Sequence, residues 1–278
     1  MTQIKTLNHK TPKEIYEILA IQDIKRAAEL LLPLYQNDNN DGFISLEVDP
    51  KLCNDPLGTI EEGARLFETI NMPNVMIKIP ATEAGYMAMR ELTKMGVNVN
   101  ATLIFSPQQT KECTKALNDG ISQSTKPTKG VVSVFVSRFD RIVDEKLPND
   151  KKAKLGIINA TKCYYEVQNI KNDNIRILFA STGVKGDALK ANYYIDELAF
   201  TNCVNTAPLT ALNAWIDNRD KKMAQSFSLE QCDEFLSSMI NYDIDLNKLY
   251  DELLNDGLKS FVESFDNILE KIGRAHVW

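Results

Sequence analysis

The sequence predicts an α/β protein built on a parallel sheet of the barrel type, incomplete at about six recognisable strands, with a helical C-terminal segment. Three observations carry this. Strand-like and helix-like stretches alternate from residue 43 to about 215, a pattern that gives parallel strands joined by helical crossovers. Each strand has one apolar face and one face bearing polar groups, often near its C-terminal end. No G-x-G-x-x-G or P-loop occurs, whereas an open doubly wound sheet covers both faces with helices and usually has a glycine-rich first turn. In a parallel barrel the inner faces converge at the C-terminal mouth, where active sites lie.

The elements follow in order. Thr11-Pro12-Lys13-Glu14 is a helix start with a capping box, and roughly helical apolar spacing runs to Leu32-Pro33. Asn37 to Gly42 reads as a turn, and Phe43 to Val48 as the first strand. Thr59 caps a helix to about Ile70, and Val75 to Ile79 is the second strand. A helix from Glu83 to Met95 is stopped by Gly96. Val97 to Phe105 is the third strand, and the helix begun at Ser106-Pro107 ends before Gly120. Val131 to Arg138 is the fourth strand, followed by a helix over about 149–168. Ile175 to Ser181 is the fifth, 188–200 holds a short helix, and Cys203 to Thr206 is the sixth. Pro208 starts a helix, and only helix signals follow residue 216, among them Ser228-Leu229-Glu230-Gln231.

Composition narrows the function. The net charge is −6 with both signs interspersed, so no basic stripe points to nucleic acid. No apolar run approaches the roughly 18 residues of a membrane span, and Met1 to Lys5 lacks the apolar core of a signal peptide. Five cysteines, an odd number without metal-knuckle spacing, read as thiols of a cytoplasmic protein. The only histidines are His9 and His276, which argues against a Ser-His-Asp triad or a histidine metal site. Proton transfer then falls to carboxylates, lysine, tyrosine or water.

One residue stands out against that background. Lys78 is alone among the apolar residues of Val75-Met76-Ile77-Lys78-Ile79-Pro80. Desolvation disfavours an ammonium, and a neutral amine is a nucleophile that forms Schiff bases. A lysine that snorkels from the strand end, or pairs with a buried carboxylate, would leave the same trace. Strand alternation then supplies company: Glu47, Asn100, Thr102, Ser133 and Ser181 all fall on polar faces turned to the same cavity. A carboxylate such as Glu47 beside the amine can shuttle protons through carbinolamine steps, or merely neutralise it.

With these segments in place the chain resembles transaldolase over most of residues 10–270. The resemblance is carried by Gly42-Phe43-Ile44-Ser45-Leu46-Glu47-Val48-Asp49-Pro50, by Pro73 to Thr82, by Val97 to Ser106, by Ser137-Arg138-Phe139-Asp140, by Ala180 to Lys185 and by Val204-Asn205-Thr206-Ala207-Pro208. It implies a (β/α)8 TIM barrel of the pentose phosphate pathway, without metal or other cofactor, that moves a dihydroxyacetone unit between sugar phosphates. It further implies Lys78 as the imine lysine and Glu47 as the residue activating water. Asn100 and Thr102 would bind the dihydroxyacetone hydroxyls and that water, and Ser133 the substrate. Arg138, Ser181 and Lys185 would hold the phosphate; for Arg138, a surface ion pair with Asp140 or Asp144 is the competing expectation.

The chain also departs from that pattern. Six strands are recognisable where the family has eight, and the matched region starts at the helix before the family's third strand. The family's first strand carries an aspartate for C–C cleavage, and here no aspartate precedes Asp23. The expectation is one barrel domain over 1–272, N-terminally shortened, with an exposed interior that a homo-oligomer sharing sheet edges would cover. Residues 273–278 are expected to be an extraneous tail, because Ile272 to Val277 resembles what a common sequencing-adapter DNA encodes in one frame. Two further functions compete: a Schiff-base aldolase acting on fructose 6-phosphate, and an inactive fragment or non-catalytic sugar-phosphate binder. The long helical segment after Trp215 favours transaldolase.

Overall fold

The computed structural model describes residues 7, 9–38, 40–186, 188–218 and 223–276. Six strands form one parallel sheet in the order β1-β2-β3-β4-β5-β6. They are β1 (Ile44–Glu47), β2 (Val75–Pro80), β3 (Val99–Ile104), β4 (Gly130–Phe135), β5 (Ile175–Ala180) and β6 (Cys203–Asn205). The helices are α1 (Pro12–Asn37), α2 (Pro56–Ile70), α3 (Glu83–Lys94), α4 (Pro107–Ile121), α5 (Ser137–Val143), α6 (Leu155–Asn169), α7 (Tyr193–Glu197), α8 (Leu209–Asp217), α9 (Leu229–Ser238) and α10 (Leu246–His276). The predicted alternation, the six strands and the helical C-terminal segment are all present. None of the described helices is long and apolar enough to cross a membrane. The chain divides into two compact units, one of residues 1–100, 119–129 and 256–278, the other of 101–118 and 130–255.

In the first unit Thr11 caps α1 as read: its hydroxyl accepts the Glu14 N–H, and the Glu14 carboxylate accepts the Thr11 N–H at 2.7 Å. The helix does not stop at Pro33 but runs through it to Asn37. A proline deletes one helical bond, and here the last turn closes behind it through the Asp38 N–H to Leu34 carbonyl bond of 3.0 Å. Gly42, at φ +73°, then lets the chain turn under that helix end, where a Cβ would lie 2.5 Å from the Tyr35 nitrogen. Thr59 is not the cap of α2. Asp55 is, accepting the Gly58 N–H at 3.0 Å with Pro56 in the first turn, while the Thr59 hydroxyl donates to the Leu52 carbonyl. Gly63, Leu66 and Ile70 of α2 are buried, as are Met89 and Leu92 of α3 and Ile77 of β2. Burial of each large side chain stabilises by about 1.5–3 kcal/mol.

Gly120 does not end α4, which continues to Ile121. Its role is close approach: a Cβ there would sit 2.0 Å from Thr93 Oγ1 and 2.2 Å from the Arg90 carbonyl oxygen. Gly120→Ala should therefore destabilise the protein by about 1–3 kcal/mol, the usual cost of overpacking. Urea unfolding reads this directly, and a change below about 0.5 kcal/mol would contradict it.

In the second unit β4 and β5 pair in register, Ser133 with Leu178 and Phe135 with Ala180. The fourth strand is shorter than expected. It ends at Phe135, and Ser137 and Arg138 open α5. The Val136 and Ser137 N–H groups still bond to the Ala180 and Ser181 carbonyls, at 2.9 and 3.0 Å, while Val136 has already turned to φ −106°, ψ −70°. Phe139, Asp140 and Val143 bury at helical spacing, which settles the choice for a helix. The next helix, α6, starts at Leu155 rather than 149, after a turn closed by the Lys151 N–H on the Pro148 carbonyl. An aromatic chain Phe135–Phe105–Phe139–Tyr250, with centroid distances of 5.3, 6.1 and 5.8 Å, packs this unit. Asn159 ties it to the backbone, donating to the Phe105 carbonyl and accepting from the Tyr250 hydroxyl. At the C-terminus α10 continues through Gly273 to His276, so this part of the expected tail extends the last helix; residues 277 and 278 lie outside the described residues.

Candidate active site

In the first unit the parallel register sets Glu47 of β1 opposite Lys78 of β2. Strands about 4.8 Å apart present residues so paired on one face, and here Lys78 Nζ lies 3.6 Å from Glu47 Oε2. The ring of Phe261 approaches Nζ to 5.9 Å. Lys78 is less enclosed than its neighbours predict. Its side chain is 27% exposed, whereas Ile77 and Ile79 are at 0%. The strand buries its apolar residues and lets the lysine reach outward. Burial pushes the Glu47 carboxyl above its ordinary range, against the opposing pull of the Lys78 ammonium. A cavity of about 270 Å³ adjoins Glu47, walled in part by Tyr16, Leu46, Phe261 and Phe265, and supplies the apolar surroundings for that shift. Asn100, also in this unit, donates its amide to Ser45 Oγ at 3.1 Å. Ser45 belongs to the candidate site although the sequence reading left it out; its position two residues before Glu47 on the same strand face was the available signal.

In the second unit Thr102 is fully buried and its hydroxyl has no hydrogen-bond partner among the described residues. The next residue, Leu103, sits at φ +56°. For a branched, buried side chain that left-handed conformation costs about 1–3 kcal/mol and marks stored strain. It also interrupts the simple alternation expected along β3. Gln109 holds the bend: its carbonyl accepts the Phe105 and Ser106 N–H groups at 3.0 and 3.1 Å, and its amide donates to the Leu103 carbonyl at 3.3 Å. Ser133, on β4, is buried at 2% exposure.

Ser181 is the second strained residue, at φ +56° where β5 ends. Its hydroxyl lies 3.2 Å from that of Ser137. Lys185 and Ser181 line one cleft of about 420 Å³, together with Ser137, Arg141 and Thr206. Arg138 is placed differently, its guanidinium 4.9 Å over the Phe135 ring and 5.9 Å over Phe105. The acids weighed as its ion-pair partners accept hydrogen bonds of their own. Asp140 accepts the Gly156 N–H at 3.0 Å and the Tyr194 hydroxyl at 2.8 Å, and Asp144 accepts the Ala153 N–H.

Burial pushes the Asp140 carboxyl from its ordinary 3.8 up to about 6, against the hydrogen bonds it accepts from Gly156, Tyr194 and Leu155. A carboxyl raised in the folded state binds its proton more tightly there than in the unfolded chain. Its contribution to stability is thus complete below about pH 3.8 and is lost as pH rises through about 6. The loss amounts to about 3 kcal/mol. Urea melts at pH 4 and pH 7.5 should show a smaller fall for Asp140→Asn than for the unmodified chain by about this amount. Equal slopes would remove Asp140 as the cause.

In the first unit a lysine and a carboxylate thus meet at matched positions of neighbouring parallel strands of an α/β sheet, the pair of groups that Schiff-base chemistry uses. The comparisons name the family. Residues 1–272 match the sequence model for transaldolase/fructose-6-phosphate aldolase. A transaldolase of Helicobacter pylori (strain Shi470) is 44% identical over 267 residues, covering 96% of this chain and 83% of that protein. A transaldolase of Campylobacter jejuni subsp. doylei is 43% identical over 282 residues, covering 97% of this chain and 85% of that protein. The chain belongs to the transaldolase family, and is an enzyme of that type.

Proposed function

We propose that this chain transfers a dihydroxyacetone unit from sedoheptulose 7-phosphate to glyceraldehyde 3-phosphate, releasing erythrose 4-phosphate and forming fructose 6-phosphate. The Lys78–Glu47 pair carries the reading. The Lys78 amine attacks the ketose carbonyl, water leaves, and the protonated imine takes up the electron pair freed when the C3–C4 bond breaks, as the C4 hydroxyl gives its proton to solvent and becomes the aldehyde of the leaving sugar. The stabilised carbanion then attacks the acceptor aldehyde, and water hydrolyses the new imine. Glu47 handles the protons of the water that enters and leaves, a role suited to a carboxyl whose affinity for the proton is raised. Asn100, Thr102 and Ser133 bind the sugar hydroxyls and that water; the buried, unpartnered Thr102 hydroxyl supports this. Arg138, Ser181 and Lys185 hold the phosphate by charge-assisted hydrogen bonds. In this reading residues 1–272 act as one catalytic domain, the stretch that the family model spans. We place the reaction in the cytoplasm, in keeping with five free thiols.

Fructose-6-phosphate aldolase activity is the second reading, because the family description joins the two activities. Release of free dihydroxyacetone from fructose 6-phosphate without an acceptor, faster than transfer with one, would favour it. The decisive test of the imine is intact-mass spectrometry after incubation with fructose 6-phosphate and borohydride. A mass increase fitting reduced dihydroxyacetone and mapped to Lys78 is expected. An adduct of the whole sugar would mean that the imine forms but cleavage fails, and no adduct on folded protein would overturn the reading in favour of a non-catalytic binder.

A further inference from the structure

We propose that Gln109 is a positioning residue for the reaction: its side chain holds the strained bend near the end of β3 and thereby aims the Thr102 hydroxyl at the substrate. The inference rests on the reaction proposed above, in which Thr102 binds sugar hydroxyls and water, and deepens it. Thr102, Leu103 and Gln109 all belong to the second unit. The Thr102 side chain is fully buried, and its hydroxyl has no hydrogen-bond partner among the described residues. A buried hydroxyl left unpaired costs stability until a ligand or water pairs with it, and no bond of its own fixes its direction. The backbone that carries it must do so. That backbone is strained, since Leu103, the next residue, sits at φ +56° with a fully buried side chain. A leucine keeps such a conformation only where its surroundings over-determine it. Relaxing to negative φ would rotate the peptide that joins Leu103 to Thr102 and carry the hydroxyl to a new direction.

Gln109 supplies that constraint. Its side chain spans the bend: the amide oxygen accepts from the Phe105 and Ser106 N–H groups at 3.0 and 3.1 Å, and the amide nitrogen donates to the Leu103 carbonyl at 3.3 Å. A carboxamide offers an acceptor and a donor side by side, which matches a bend that presents N–H groups on one side and a carbonyl on the other. The brace is itself held. Gln109 stands in the first turn of α4, its own N–H bonds to Ser106 Oγ at 3.0 Å, and the residue is only 9% exposed. Beyond the bend, Asn159 donates to the Phe105 carbonyl at 2.7 Å and pins the far end, across which Gln109 reaches back to Leu103. A side chain so fixed transmits its position to the strand end, and through Leu103 to Thr102.

The test follows the time course of the borohydride-trapped dihydroxyacetone adduct on Lys78 in the intact chain, and titrates inorganic phosphate by calorimetry. Thr102→Val removes the hydroxyl and keeps the shape; Gln109→Met removes the brace and keeps the length. Each should slow formation and decay of the adduct by about tenfold to a hundredfold, the cost of a misplaced group at a reacting centre. Affinity for inorganic phosphate should stay within about twofold of the unmodified chain. The double variant should be no more than about threefold slower than Thr102→Val alone, because Gln109 acts through that hydroxyl. Losses that multiply in the double variant would overturn the inference, as would adduct kinetics in Gln109→Met within about twofold of the unmodified chain. A matching fall in phosphate affinity would mean general damage and would overturn it too. Gln109→Glu keeps an oxygen for the Phe105 and Ser106 N–H groups and loses the amide donor, so its rate should lie between the other two. That variant decides the matter if Gln109→Met does not fold, unchanged kinetics counting against the inference. Absence of an adduct on the unmodified chain would overturn the Schiff-base reading and this inference together, whereas a normal adduct unaffected by Gln109→Met overturns this inference alone.

Discussion

Lys78→Ala should abolish the borohydride-trapped adduct and reduce sugar transfer to background. The reason is chemical. The other amine of the cavity beside Glu47, Lys13, is held by Asp49 and Glu62, and without an imine the C–C bond has no electron sink, so the loss should reach at least about 10⁴-fold. The variant removes more than a nucleophile, however. It leaves the half-buried Glu47 carboxylate without its countercharge, and an uncompensated buried charge destabilises a fold. Lys78→Arg separates the two effects: arginine keeps the positive charge opposite Glu47 and cannot form the imine. Both variants should lose the adduct and the activity, and only alanine should lower the urea midpoint. A surviving adduct in either, mapped to another lysine, would remove Lys78 from its role.

Much of this was legible in the sequence because polar residues placed against the apolar pattern are informative. Lys78 within β2 and Glu47 within β1 stood out, and strand periodicity put them on converging faces; the 3.6 Å contact is that placement realised. The failures have physical causes too. Asp55-Pro56 carried a cap signal as strong as Thr59, and the reading chose the wrong one of two caps four residues apart. Val131 to Val136 is apolar enough to read as one strand continuing to Arg138, so the turn at Ser137 was hidden. Gly120 looked like a stop and is a close-packing site, because the helix it approaches is remote in sequence. Leu103 and Ser181 at positive φ left no trace at all, since neither is the glycine or asparagine that announces that conformation.

Glu47→Gln should slow transfer by about 10²–10⁴-fold, the range for losing a positioned acid–base group, while the lysine still forms an adduct. The substitution keeps the shape of the side chain and its approach to Nζ. It removes the negative charge and the ability to pass a proton to water. Imine formation and imine hydrolysis both need that proton transfer, whereas C–C cleavage from a formed imine does not need it at the same atom. The adduct trapped by borohydride should accordingly build up slowly yet decay slowly, so that at long incubation the trapped fraction approaches that of the unmodified chain. The pH profile supplies the readout that a merely structural role would not move. Burial raises the Glu47 carboxyl above its ordinary range, so the acid limb of the transfer rate should follow its ionisation, and that limb should flatten in Glu47→Gln. A variant that loses rate while keeping the same acid limb would assign Glu47 to holding Lys78 in place. A variant within tenfold of the unmodified rate, which is about 1.4 kcal/mol in barrier, would leave the pair as a salt bridge and pass the proton work to another group.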